Sequence, residues 1–252
     1  MWKKQKKFII SKWYKEKIDF IIKVLQKIRL ELIIEGMINL IFPKRCGICN
    51  QGINEEYTCQ KCKKKLEYIC INEMILGKEK DFFAFCICAY AYSGIVRKKI
   101  LQFKFQNKKY LYQSLSQKLF EILKEYQEEI DEIIAVPISW KRFCERGYNQ
   151  TSLIASFLAK ALKKRQLKHV LIKSKNNNKQ SRLKIQERIS NVTGVYAVLQ
   201  KEKIAGKTIL LIDDILTTGA TIRECSRVLR ESGAKKIIVA VVAKTQMRKI
   251  IK

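Results

Sequence analysis

Residues 209–221 read ILLIDDILTTGAT, and few strings constrain a fold more tightly. Four apolar residues run straight into two adjacent aspartates, and a Thr-Thr-Gly-Ala-Thr turn follows at once. An apolar run of that length fits a buried strand, and residues 219–232 that follow carry a helical pattern. In an open parallel sheet, ligands sit beyond the carboxyl ends of the strands. The turn Thr217, Thr218, Gly219, Ala220 and Thr221 then falls at a helix N-terminus, where unpaired N–H groups and the helix dipole favour a phosphate. Gly219 permits close backbone approach. The string is not a Walker A loop, because it lacks the Gly-Lys pair and its acids precede the turn. Asp213 and Asp214 would repel a phosphate placed on them, but they suit ribose hydroxyls or a divalent cation. A ribose 5-phosphate meets both demands. The competing reading is an ordinary helix cap beside two incidental acids.

The rest of the chain supplies a matching frame. FCICAYAY (85–92), EIIAVPI (132–138), HVLIK (169–173), VYAV (195–198), TILLID (208–213) and KIIVAVVA (236–243) read as strands. Helical segments fall near 111–127, 148–164 and 219–232. Apolar runs alternating with helices predict an α/β fold, a mainly parallel sheet covered on both faces. The polar, basic segment 174–191 reads as a long mobile loop. The lone histidine, His169, falls in a predicted strand and reads as structural rather than catalytic.

Cys46-Gly-Ile-Cys49 and Cys59-Gln-Lys-Cys62 are two CxxC knuckles. Together they offer four thiolates to one ion, the donor set of a closed, structural zinc site. A redox CxxC is the alternative, although it leaves the second knuckle unexplained. Gly47 is expected to form the tight turn that brings amides to the sulfurs. Cys70, Cys86, Cys88, Cys144 and Cys225 lack such spacing and are expected to be small buried hydrophobes.

Charge narrows the partners. The 252 residues hold 52 Lys and Arg against 23 Asp and Glu, a formal net charge of +29. Such a balance favours polyanions, namely nucleic acid, anionic lipid or phosphorylated substrates, unless it reflects only a Lys-, Ile- and Asn-rich codon bias. The stretch 1–40 is expected to be a basic, amphipathic helical extension, with apolar residues at Ile18, Ile21, Ile22, Leu25, Ile28, Leu32 and Ile33. It can lie on DNA or lipid, or pack on its own domain. No secretory signal is recognised, so the cysteines are placed in a reducing cytoplasm. Peripheral membrane contact through residues 1–30 stays open. A four-cysteine module over 41–72 and a larger domain over 80–252 complete the division.

The string at 209–221 resembles the motif with which type I phosphoribosyltransferases bind 5-phosphoribosyl-1-pyrophosphate (PRPP). Further stretches extend the likeness: FPKRCGIC, CQKC, AYAYSGIVRKKILQFKFQNKKY, AVPISWKRFCERGYNQTSLIA and QSRLKIQERISNVTGVYAV. From near Leu40 to near Thr245 the chain resembles the ComF family of competence-associated proteins. The resemblance implies a zinc module ahead of a type I phosphoribosyltransferase fold, with Zn2+ structural and Mg2+ arriving with PRPP. It implies a role in handling incoming single-stranded DNA during natural transformation, alongside proteins of the competence machinery. Asp213 and Asp214 would address the ribose, and Thr217 to Thr221 the 5-phosphate. Val136, Pro137, Ile138 and Ser139 would form the pyrophosphate loop, with Lys141, Arg142 and Arg146 directly after it. Arg182 and Arg188 would lie on the mobile basic loop.

Two functions stay open at this stage. One is a DNA-handling adaptor whose PRPP site acts as a sensor. Its motive is the acid-free stretch from Phe82 to Phe120, where Arg97, Lys98, Lys99, Lys104, Lys108 and Lys109 interleave with Phe103, Phe105, Tyr110 and Tyr112. Such mixing suits single strands, unless the aromatics point into the core. The other is an active PRPP-dependent phosphoribosyltransferase of nucleotide metabolism or salvage. The fold alone does not decide turnover.

Overall fold

A computed structural model describes residues 44–53, 57–174 and 194–245. The helix expected over 1–40, and Arg182 and Arg188, lie outside the described residues. The chain divides into two compact units. Met1–Arg45 with Gly52–Glu56 form one, in which Arg45 and Gly52 make an antiparallel bridge. Cys46–Gln51 with Tyr57–Lys252 form the other, which holds every element below.

Its centre is a six-stranded sheet of order β1-β2-β8-β7-β3-β4. The strands are β1 (Cys70–Leu76), β2 (Phe85–Ala91), β3 (Glu132–Ala135), β4 (Arg165–Gln166), β7 (Thr208–Leu216) and β8 (Lys236–Lys244). Only the β1–β2 pairing is antiparallel; β2–β8, β8–β7, β7–β3 and β3–β4 are parallel. Every residue of β2 and the whole stretch Ile237–Ala243 of β8 are buried. Those uninterrupted apolar runs are what a strand covered on both faces requires.

The covering helices follow from period. On α6 (Ala220–Glu231), Ile222, Cys225 and Leu229 pack with Ile209, Leu211, Ile237, Val239 and Val241, the alternate residues of β7 and β8. α3 (Leu111–Leu123) and α5 (Gln150–Ala161) pack on each other; α3 lies on β2 and β8, and α5 on β3 and β7. They bury Leu115, Leu119, Ile154 and Leu158 outside the α6 core. Each such side chain contributes about 1.5–3 kcal/mol on burial. After β7 the chain crosses by α6 to β8, whereas after β3 it crosses by α5 to β4 on the other side. The connections diverge between β3 and β7, which opens a crevice at their carboxyl ends.

Several expectations need correction. HVLIK is a strand only over β5 (Leu171–Lys173), which pairs antiparallel with β6 (Tyr196–Val198) in a separate two-stranded sheet. His169 lies outside it, exposed, with φ 61°, and this left-handed turn ends the extended run. The helix expected over 111–127 ends at Leu123 and tightens into a 3-10 turn, Lys124–Glu129. Helix α2 (Gly94–Phe105) occupies part of the basic aromatic stretch; it buries Phe103 and leaves Phe105 exposed. Tyr110 is exposed and Tyr112 half-buried against Phe157. Of the unpaired cysteines, Cys86, Cys88 and Cys225 are buried, but Cys70 is half-buried and Cys144 is exposed on the outer side of a short helix.

Candidate functional site

The β3–β7 crevice holds a cavity of about 180 Å³. Its floor is the end of β7, where Asp213 and Asp214 point to opposite faces as strand neighbours must. Asp214 is paired with Lys104 near the end of α2, Nζ to Oδ1 2.8 Å. The Asp214 amide donates to Asp213 Oδ1 at 2.8 Å. Burial, and then repulsion from Asp214, push the Asp213 carboxyl up to about 7.

Beyond the acids, Thr217 to Thr221 line the cavity. Gly219 has φ 76°, a left-handed conformation that turns the chain into α6 at Ala220 and that a side chain would strain. Arg223 braces the turn, its Nη2 donating to Thr218 O at 2.9 Å. The start of α6 lines the cavity at Ala220, Thr221 and Ile222, with the Ala220 amide donating to Thr218 Oγ1 at 3.5 Å, and a helix N-terminus suits an anion.

The facing wall is the loop after β3, where Val136, Pro137 and Ile138 line the cavity. Its backbone is pinned. Val136 O accepts from Thr151 Oγ1 at 2.6 Å and from Asn149 Nδ2 at 3.2 Å, while Asn149 Oδ1 caps α5 by accepting from Thr151 N at 3.1 Å. Helix α4 (Trp140–Arg146) follows directly. Ser139 caps it, accepting from Arg142 N at 3.4 Å, and Gly147 at φ 73° closes it. Arg142 and Arg146 line the cavity; Ser139 and Lys141 do not, and Lys141 is exposed.

Lys104, Thr151, Lys173 and Tyr196 also line the cavity, as do Ile215, Leu216 and Ile222, none of them singled out as a site residue by the sequence. Lys104 carried a legible signal, since it falls four residues after the buried Ile100 on the inward stripe of α2. Lys173 and Tyr196 come from β5 and β6, and their meeting, Lys173 Nζ 5.7 Å from the Tyr196 ring centre, is a tertiary fact. Burial, then repulsion from Arg142, lower Lys173 to about 8, and the same two causes lower Arg146. The cavity thus holds partly desolvated cations that repel one another beside an acid short of solvent. A ligand with both phosphate and hydroxyl groups relieves both.

A second constellation lies at the start of the unit. The Sγ atoms of Cys46, Cys49, Cys59 and Cys62 all fall within 4.8 Å of one another, with Cys49 and Cys59 3.6 Å apart. Four thiolates about 2.3 Å from one tetrahedral ion need this kind of spacing. The Cys59 amide donates to Cys46 Sγ at 3.3 Å. Burial opposes ionisation of Cys46, but the amides of Cys49, Cys59 and Ile48 outweigh it and hold the thiol near about 7. The donor set therefore fits a metal ion. Gly47 lies in a turn, as expected, with the Ile48 and Cys49 amides on the Cys46 sulfur, and it also meets a packing constraint. Its Cβ would collide with Ser114 Oγ of α3, and its amide donates to Tyr57 O, the acceptor of that same hydroxyl. Glycine here permits docking of the knuckle on the helix. Among the described residues no helix is long and apolar enough to cross a membrane.

These features match known proteins. The phosphoribosyl transferase domain family matches residues 150–250. Competence protein F of Haemophilus influenzae is 28% identical over 203 residues, 77% of this chain and 87% of that one. Competence protein ComFC of Bacillus subtilis is 27% identical over 189 residues, 75% and 72%. DNA utilization protein YhgH of Escherichia coli O6:H1 is 27% identical over 115 residues, 46% of this chain and half of that one. Fold and crevice define a mixed α/β protein of phosphoribosyltransferase type, preceded by a cluster of four cysteines. Over about three quarters of its length the chain is similar to competence proteins of the ComF type.

Proposed function

We propose that the crevice binds PRPP with Mg2+ and that the protein acts in competence, in the uptake and handling of single-stranded DNA. The observation that carries the ligand is the convergence on one cavity of an acid pair, a helix-capping turn and the basic side chains Arg142, Arg146 and Lys173. In this reading Asp213 and Asp214 accept from the ribose hydroxyls. Thr217 to Thr221 hold the 5-phosphate, and Val136, Pro137 and Ile138 with Arg142 and Arg146 face the pyrophosphate. Mg2+ would supply charge neutralisation beside the acids and the pyrophosphate oxygens. The DNA role is supported by the names of the relatives, competence protein and DNA utilization protein, and by the net charge of +29. Zn2+ is the ion proposed for Cys46, Cys49, Cys59 and Cys62, with a structural role in a reducing cytoplasm.

PRPP with Mg2+ should raise the melting temperature of the wild type and leave an Asp213→Asn/Asp214→Asn variant unmoved. Equal shifts in both would remove the acids from the site.

Turnover is the second reading, favoured by the grouping of Arg142, Arg146 and Lys173 in one cavity. Those charges would stabilise a departing pyrophosphate while a nucleophile attacks the anomeric carbon. Pyrophosphate release in a nucleobase screen supports the enzyme, and silence across the screen supports the adaptor.

A further inference from the structure

Helix α4 turns its two arginines inward and its rings outward. Arg142 and Arg146 line the cavity, while Trp140 is 75% and Phe143 40% exposed, an unusual outlay of aromatic surface on seven residues. The two rings stack on each other, centroids 5.6 Å apart and planes at 19°. Behind them lies a second hollow of about 550 Å³, walled by Leu153, Leu167 and Ile172 and edged by Lys168. Among the described residues no acidic side chain lines it. The size is that of a small-molecule pocket, about 300–1,000 Å³. It shares Pro137, Ile138 and Lys173 with the cavity, so the two hollows lie on either side of one loop.

We propose that the stacked Trp140 and Phe143 rings and the groove behind them hold bases of single-stranded DNA. The proposal rests on the DNA-handling reading above and names the place where it happens. An apolar floor accepts the base faces, and exposed parallel rings extend the stack. Lys168 at the groove's edge suits a backbone phosphate. A protein partner of ordinary composition would bring its own Lys and Arg to a groove whose lining, among the described residues, has no carboxylate to receive them. Duplex DNA keeps its bases stacked inside and offers the rings nothing.

The full chain is titrated with fluorescently labelled oligo(dT), with an abasic sugar-phosphate strand of equal length, and with duplex, all by anisotropy. Trp140→Ala/Phe143→Ala is compared with wild type, and the PRPP thermal shift of each serves as a folding control. The proposal expects the variant to bind oligo(dT) about tenfold or more weakly, to bind the abasic strand as wild type does, and to keep its PRPP shift. Equal affinity of variant and wild type for oligo(dT) overturns the groove while leaving the DNA reading standing. Failure of the wild type to bind oligo(dT) at all overturns both. A wild type that dimerises, with a monomeric variant of unchanged DNA affinity, makes the groove an interface between copies and overturns the proposal.

Discussion

Lys104 and Asp214 lie 110 residues apart in sequence and 2.8 Å apart in space, with side chains only 17% and 13% exposed. Removing either partner leaves the other's charge in a poorly solvated place. Lys104→Met should therefore cost about 1–3 kcal/mol in denaturant unfolding, and adding Asp214→Asn should recover most of it. A double-mutant cycle with no coupling would mean the pair contributes nothing.

Asp213 makes the empty protein sensitive to alkali. Its carboxyl is raised from 3.8 to about 7, so the folded state holds a proton that the unfolded state releases. The stability from that proton is complete below the unfolded value and is lost as pH rises toward about 7. Asp213→Asn should accordingly unfold at higher temperature than wild type at pH 8, by about 1–3 kcal/mol. The gap should close near pH 4. A gap independent of pH would place the strain elsewhere than in ionisation.

Lys173 should give ligand affinity its own pH dependence. Its ammonium is lowered to about 8, so it sheds its proton within the working range of the folded protein. An anionic ligand binds the protonated form better, and affinity for PRPP should fall as pH rises through about 8. Calorimetric titrations across that range should steepen for wild type and flatten for Lys173→Gln. Parallel curves would remove Lys173 from the anion's surroundings.

The cysteine cluster offers a metal test and a packing test. Chelation or Cys59→Ser should lower the melting temperature and release about one equivalent of zinc by elemental assay, as closed four-thiolate sites contribute directly to folding. Gly47→Ala should cost about 1–3 kcal/mol through its clash with Ser114. Gly47→Ala/Ser114→Ala should cost less than the sum of the single changes. A purely additive pair would show that the knuckle does not rest on α3.

Some of this was legible before any coordinates. The run Ile209 to Ile212, the acids and Gly219 occupy neighbouring positions, so local rules of strand, turn and helix start sufficed for them. The edge strand β1 was not legible, because Cys-Ile-Asn-Glu-Met-Ile-Leu mixes polar residues into a half-exposed edge. Helix α2 was read for its charges and rings, although Val96, Ile100 and Phe103 mark its buried stripe. The cavity walls from Lys104, Lys173 and Tyr196 depend on how distant segments meet, which no local pattern encodes. The contact of Gly47 with Ser114 was hidden for a related reason, since the two are remote in sequence.

The two poles of the crevice are built to different tolerances. Its carboxylates sit on β7, which is hydrogen-bonded to β3 on one flank and β8 on the other and cannot shift alone. Its guanidinium groups ride on α4, a helix of seven residues, about two turns, with its own stop at each end. Substitutions on that helix can rewrite which anion is welcomed without disturbing the scaffold. Relatives would then diverge in ligand along α4 sooner than along the strand.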